Sequence, residues 1–370
     1  MFDYGVRWEG QTVTAVEARS GTAALPGMGA LLGMVDGARK VTTPDFEGVT
    51  FHEVLCKSAL NPVPEAAALP FHWTINPYRG CTHACTYCFA RATHEYLDFD
   101  AGVDFDSQIV VKTNVAAVLR RELRRASWKG ETVALGTNTD PYQRAEGRYR
   151  LMPGIIGALA NARTPMSILT KGTLLQRDLP LLATAATTVP VSISVSLALL
   201  DPELHATLEP GAPKPAARLS LIRAVAEAGF DCHVMAAPII PYLTDDAASL
   251  RRLFTAVAEA GASGVTAFPL NLTGRYRGWF LAWLTKNHPA LIRRYRTLYG
   301  SSGRVSPEYR THLRARTEPL LAELGLGGEP LDGAGPYSVA PERRTRRRRD
   351  GVVGANAVAP QVQDLQEALF

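Results

Sequence analysis

Residues 72–88 read His72-Trp-Thr-Ile-Asn76-Pro-Tyr-Arg-Gly80-Cys81-Thr-His-Ala-Cys85-Thr-Tyr-Cys88. A β-like run, His72–Asn76, meets the turn signal Pro77–Gly80, and three cysteines follow at CxxxCxxC spacing. The same change of pattern repeats downstream. Strand-like runs at Thr132–Gly136, Met166–Thr170, Val189–Leu197, Cys232–Ala236 and Val265–Leu270 alternate with helical segments. Those segments are a helix capped by Thr113 with Val115, Val118, Leu119 and Leu123 as its apolar stripe, then Ile155–Ala162, Leu174–Ala186, Pro215–Ala228 stopped by Gly229, and Asp245–Ala260 stopped by Gly261. Six strands alternating with helices mean βαβ units, right-handed crossovers and a parallel sheet. The expected fold class is α/β, a partial (βα)6 TIM-like barrel. In such sheets the site forms at the carboxyl ends of the strands, and the cysteines stand at one of those ends.

Outward from this core, residues 1–65 read as an N-terminal extension, Gly- and Pro-punctuated, with weak strand candidates at Gln11–Val16 and Val49–Val54 and a glycine-rich loop at Gly21–Ala38. Gln108–Lys112 is a further short strand. Residues 66–285 are the core. Residues 286–324 carry C-terminal helices, within a helical reading of Trp279–Lys286, Pro289–Leu298 and Pro307–Leu324. Residues 325–370 turn to Gly, Pro, Ala and Arg and read as a flexible, disordered basic tail. With 46% hydrophobic residues the chain can build a sizeable core. Five cysteines, odd in number, argue against a disulfide-stapled secreted domain. There is no signal-peptide pattern at Met1–Gly10 and no apolar run long enough for a membrane span, so a cytoplasmic location is expected.

Thiolates are the ligands of iron–sulfur clusters, and a [4Fe–4S] cube takes four. Three from one tight loop leave one iron open to a small ligand. A structural zinc site, completed by His83 or a remote residue, is the competing reading; zinc sites more often split their cysteines into two distant pairs. At this point the chain resembles the radical S-adenosylmethionine (SAM) superfamily, over about residues 66–285. Asn76-Pro-Tyr-Arg-Gly-Cys81, Gly136-Thr-Asn-Thr-Asp-Pro-Tyr142, Leu169-Thr-Lys-Gly172 and Glu209-Pro-Gly-Ala-Pro213 look like the branch related to spore photoproduct lyase, and within it an uncharacterised actinobacterial subgroup. The resemblance implies a [4Fe–4S] cluster on Cys81, Cys85 and Cys88. It also implies SAM on the open iron, reductive cleavage of the sulfonium, and hydrogen abstraction by the resulting 5′-deoxyadenosyl radical. A one-electron donor such as a flavodoxin or ferredoxin is implied with it.

The resemblance also points to residues around SAM. Gly136 lets the backbone approach, and Thr139 and Asp140 can accept from the SAM amine. Lys171 can pair with its carboxylate. Ser192, Ser194 and Ser196 share one face of their strand, and Ser194 is the candidate for the ribose. Pro238-Ile-Ile-Pro241 is the candidate apolar wall for adenine. Tyr87 and Phe89 flank the cluster loop. The lyase donates hydrogen from a cysteine near the end of its second core strand, and Val133–Tyr142 has none. Tyr142 and Cys232 are the candidate hydrogen relays, with Tyr78 and Cys56 behind them, and repair of thymine photoproducts is not expected.

Beyond the core, Arg343–Arg349 holds six arginines in seven residues and can neutralise phosphates. Gln366-Glu-Ala-Leu-Phe370 resembles the peptide by which bacterial proteins dock on the DNA sliding clamp. Both tilt the substrate toward nucleic acid. A small-molecule or protein substrate, and a non-catalytic Fe–S or zinc DNA-associated module, are the other function classes. The polar strand-end set of Thr139, Asp140, Lys171 and Ser194 favours an enzyme, because a pure binding module has no use for it.

Overall fold

The structure is a computed structural model that describes residues 38–64, 69, 71–97, 99–274 and 276–327. The strand candidate Gln11–Val16, most of the glycine-rich loop, Arg343–Arg349 and Gln366–Phe370 lie outside the described residues. In chain order the strands are β1 (Arg39–Val41), β2 (Thr50–Val54), β3 (Leu60–Pro62), β4 (Trp73–Ile75), β5 (Tyr78–Arg79), β6 (Gln108–Lys112), β7 (Val133–Leu135), β8 (Met166–Thr170), β9 (Val191–Ser196), β10 (Cys232–Ile239) and β11 (Gly264–Pro269). The larger sheet runs β11-β10-β9-β8-β7-β4-β3. Its six strands from β4 to β11 are all parallel, with β3 added antiparallel at the edge. The order does not close on itself, so the architecture is the expected open α/β partial barrel.

Parallel strands covered on both faces should be apolar throughout. β7 is buried at all three positions, and β10 at all but one. Helices Val115–Leu123, Leu151–Asn161, Leu175–Ala186, Pro215–Glu227 and Ala247–Glu259 supply the covering layer. Leu119, Ile155, Leu182, Ile222 and Phe254 from these helices join one apolar core with the strands. The apolar stripe expected on the first of these helices is buried as read.

A second, four-stranded sheet, β1-β2-β6-β5, lies apart from the barrel strands. β6 pairs parallel with β2 and antiparallel with β5. The strand Gln108–Lys112 therefore belongs to this side sheet, and the extension contributes ordered strands to both sheets. The cap expected at Thr113 is a correction. The helix begins at Val115, and Asn114 precedes it. Thr113 Oγ1 instead donates to the Val54 carbonyl at 3.2 Å, and the Asn114 amide bridges the Cys56 backbone with bonds of 2.8 and 3.0 Å. Side-chain ties to the side sheet outcompete the local cap. A second correction concerns the fifth strand, expected to end at Ala236 with Pro238-Ile-Ile-Pro241 following it: β10 continues to Ile239, which pairs with Pro269. No described helix is long and apolar enough to cross a membrane.

Candidate active site

The cysteine loop is fixed mostly through backbone. Gly80 enters it at φ +77°, where a Cβ would stand 2.9 Å from the Phe105 carbonyl oxygen. Cys81 N–H donates to that same oxygen at 2.9 Å. Thr82 N–H donates to the Gln143 side chain at 2.9 Å. Across the mouth, the segment after helix Pro202–Leu208 clamps the loop: Thr86 N–H donates to Leu208 O at 2.9 Å, and Gly211 N–H to His83 O at 3.0 Å. A Cβ on Gly211 would lie 1.9 Å from Thr82 O. Arg91, fully buried, donates from Nε to Cys85 O at 3.0 Å and pairs with Asp106 at 2.8 Å. Its guanidinium sits 5.2 Å from the Phe105 ring and 4.9 Å from the Trp279 ring.

Cys81 and Cys85 are buried and Cys88 is partly exposed. Burial pushes all three thiols up, Cys85 to about 12 despite the neighbouring Lys171 charge. Among the described residues no three Cys, His, Asp or Glu side chains converge into a ready-made metal site. The fit to a cluster rests on donor chemistry. Buried thiols give up their protons when a cation compensates, and thiolates from one short loop are the donors that iron–sulfur clusters use.

Behind the thiols, the ends of β7, β8 and β9 bring the sequence candidates together. Gly136 takes φ +92°, and a Cβ there would fall 1.9 Å from Leu169 O. Thr139 Oγ1 donates to Tyr78 O at 3.0 Å. Asp140 accepts from Tyr142 N–H at 2.8 Å, Thr170 Oγ1 at 2.5 Å and Lys171 N–H at 2.6 Å, and His83 Nδ1 stands 3.4 Å away. Burial alone would raise its carboxyl, but His83 and these donors outweigh burial and hold it at about 2. Four groups occupy the four acceptor positions that a carboxylate offers. Asp140 is therefore a brace between two strand ends, a role its turn-like sequence did not reveal.

Lys171 Nζ donates to Ser196 Oγ at 3.0 Å and lies 5.8 Å from the Tyr87 ring centre. Burial works against its charge, but Cys85 and Glu209 beside it hold the ammonium above its usual value. Ser194 and Ser196 are both buried, as their shared strand face implies. Glu209 is fully buried and accepts from the Tyr87 hydroxyl and from Arg218, itself fully buried. Arg218 and Lys171 overcome the cost of burial and keep the Glu209 carboxyl at about 2. Arg218 also donates to Pro213 O at 2.9 Å and Ser196 O at 3.1 Å. Sequence reasoning missed the Glu209–Arg218 pair as site residues, although Glu209 opens a stretch already noted for its family resemblance. Three further groups point to space for a ligand: Thr137 Oγ1, Asn138 Oδ1 and both amide atoms of Asn271 are buried without a partner. Asn271 follows β11 and gave no sequence signal.

The relay candidates are elsewhere. Cys232 opens β10, at the end away from the thiol loop, and is fully buried with its thiol pushed to about 12 by burial. The Tyr142 ring is in the main core, where a Cβ on Gly172 would meet its Cβ at 2.7 Å. Tyr78 donates to Glu146 at 2.6 Å.

A parallel sheet with a three-thiol loop and a buried Glu209–Arg218 ion pair at its carboxyl end defines a class, and the comparisons agree. The model of the radical SAM superfamily matches residues 75–254; the chain belongs to that superfamily. Uncharacterised proteins of Mycobacterium tuberculosis and Mycobacterium bovis are 62% identical over 324 residues, covering 88% of this chain and 94% of theirs. An uncharacterised protein of Methanocaldococcus jannaschii is 26% identical over 193 residues, 52% of this chain and 69% of its own. Among solved structures, a spore photoproduct lyase variant with bound AdoMet and dinucleoside spore photoproduct superposes with TM-score 0.52 at 17% identity, covering 69% of this chain and 74% of that one. At that identity the likeness is one of fold. Membership brings the cofactors read from the sequence, a [4Fe–4S] cluster and SAM.

Proposed function

We propose that this radical SAM enzyme takes a hydrogen atom from a nucleic acid, in repair or modification chemistry. The observation that carries the site assignment is the thiol loop tied down beside the buried cluster of Lys171, Glu209 and Arg218. In this reading Cys81, Cys85 and Cys88 hold the cluster. Lys171 offers its ammonium to the SAM carboxylate. Gly136, Thr139 and Asp140 shape the wall beside the SAM amine, and Ser194 faces the ribose. When bound, the cluster and SAM supply one-electron cleavage of a sulfonium and a carbon radical able to take hydrogen. The chain's residues position and screen that chemistry. Asp140 fixes the Lys171 backbone, Glu209 and Arg218 neutralise one another beneath the mouth, and the packed strand ends exclude water. Both relay candidates lie away from the thiol loop, the Tyr142 ring in the main core and Cys232 at the far end of its strand, so neither carries a role in this reading.

The arginines at 343–349 and the clamp-like Gln366–Phe370 favour nucleic acid over a small molecule or protein, as does the dinucleoside bound to the lyase neighbour. A flavodoxin or ferredoxin fits the need for single electrons. Anaerobic reconstitution, reduction with SAM present, and measurement of 5′-deoxyadenosine with and without undamaged or UV-irradiated DNA test the proposal. Iron, sulfide and 5′-deoxyadenosine are expected, all lost when Cys81, Cys85 and Cys88 become Ala, with turnover raised by DNA. Stoichiometric zinc without nucleoside product overturns the enzyme reading. Product indifferent to every nucleic acid overturns the substrate.

A further inference from the structure

The chain as a whole is nearly balanced, with 40 Lys and Arg against 35 Asp and Glu, yet residues 260–307 contain seven Lys or Arg and no Asp or Glu. Within this stretch the helix Ile292–Tyr299 turns its tyrosines inward. Tyr295 donates to Pro241 O and Tyr299 to Leu270 O, both at 2.8 Å, and the two rings stack at 5.5 Å. That orientation leaves Arg293 and Arg294 exposed. Beside them stands Tyr242, three residues past the end of β10 and so at the same end of the sheet as the thiol loop. It is 41% exposed and holds φ at +64°. A bulky side chain stays in the left-handed region only where its surroundings hold it there. Here Asp245 fixes it by accepting the Tyr242 N–H at 2.8 Å. The Arg294 guanidinium lies 5.5 Å from the Tyr242 ring. Tyr242, Arg293, Arg294, Thr297, Leu298 and Ser306 line an open groove of about 630 Å3.

An exposed ring held rigidly beside paired guanidinium groups is the combination that binds single nucleic-acid strands, because every base has a face to stack and every step a phosphate to neutralise. We propose that this groove docks a single strand, with Tyr242 taking a base face and Arg293 and Arg294 the adjoining phosphates. The inference rests on the nucleic-acid reading above and gives it a place among the described residues.

The test is fluorescence anisotropy with a labelled oligothymidylate. It uses the full-length protein in which Arg343, Arg344 and Arg346–Arg349 are replaced by Ser, which removes the tail's contribution. Tyr242→Gly removes the ring while easing the backbone, so thermal stability is retained; affinity should fall roughly tenfold with the salt slope unchanged. Arg293→Ala with Arg294→Ala should lower the slope of log K against log salt by about 1.4, two phosphate contacts on a single strand. SAM cleavage in the absence of nucleic acid should match the parent in both variants. Absence of any such cleavage in the parent sinks the enzyme reading and leaves the groove to be judged on anisotropy alone. Unchanged binding in both variants, a parent that does not bind the oligonucleotide, or its displacement by polyglutamate at equal charge overturns the groove.

Discussion

Gly136 and Gly157 are both glycines, yet the fold asks opposite things of them. At Gly136 a methyl group would overlap the Leu169 carbonyl, and φ is +92°. Gly136→Ala should cost at least about 3 kcal/mol, read as a lowered thermal midpoint. Gly157, inside a helix, has nothing within 4 Å of an added Cβ, so Gly157→Ala should gain about 0.5–1 kcal/mol. Equal effects at the two positions would contradict the close approach of β7 and β8. Glu209 makes a pH argument. Its carboxyl sits at about 2, below its ordinary 4.5, so the unfolded chain binds the proton more readily. The stability it contributes is full above about 4.5 and drains as the pH falls toward 2. Glu209→Gln leaves Arg218 buried and unpaired, at a cost of about 3–5 kcal/mol at neutral pH. The gap between variant and parent should then narrow in acid. A gap constant with pH would mean that the pair carries no differential charge.

At the scale of elements, the segment Glu209–Pro213 holds the cysteine loop through Gly211. Gly211→Ala should loosen the loop and lower reconstituted iron per chain while circular dichroism keeps its α/β signature; full iron loading would show the clamp to be dispensable. The six barrel strands were legible because each apolar run is bounded by turn residues and followed by a helical period. The side sheet was legible only as separate strands, at Val49–Val54 and Gln108–Lys112, because nothing local in the sequence signals a pairing across more than fifty residues. The site divides the same way. Cys81, Cys85 and Cys88 follow from their spacing after a strand, the shared face of the serines from period two, and Lys171 from the family resemblance. Glu209 with Arg218 does not, since an arginine within a helix ordinarily reads as a solvated face, and only the fold turns it inward against Ser196 and Pro213. Asn271 is silent in sequence because one amide after a strand is common; its burial without partners marks it.

Taken as a whole molecule, the open barrel has an edge to protect at β11. Helix Pro307–Glu323 and the turn after it do this: Val265 N–H donates to Leu326 O at 3.2 Å, and Leu313, Leu320, Leu321 and Leu326 join the main core. A chain ended after Ser306 forfeits the burial of four leucines, on the order of 6–12 kcal/mol, comparable with the whole stability of a typical domain. It should show no cooperative thermal transition; a sharp melt would mean that the barrel closes its edge by other means. Arg91 binds the parts together at long range. One guanidinium touches the Cys85 carbonyl, an aspartate and two aromatic rings, one of them on helix Tyr276–Asn287. Arg91 therefore ties that outer helix to the thiol-bearing turn, and a flexible lysine in place of the planar fork would loosen the tie while preserving the charge.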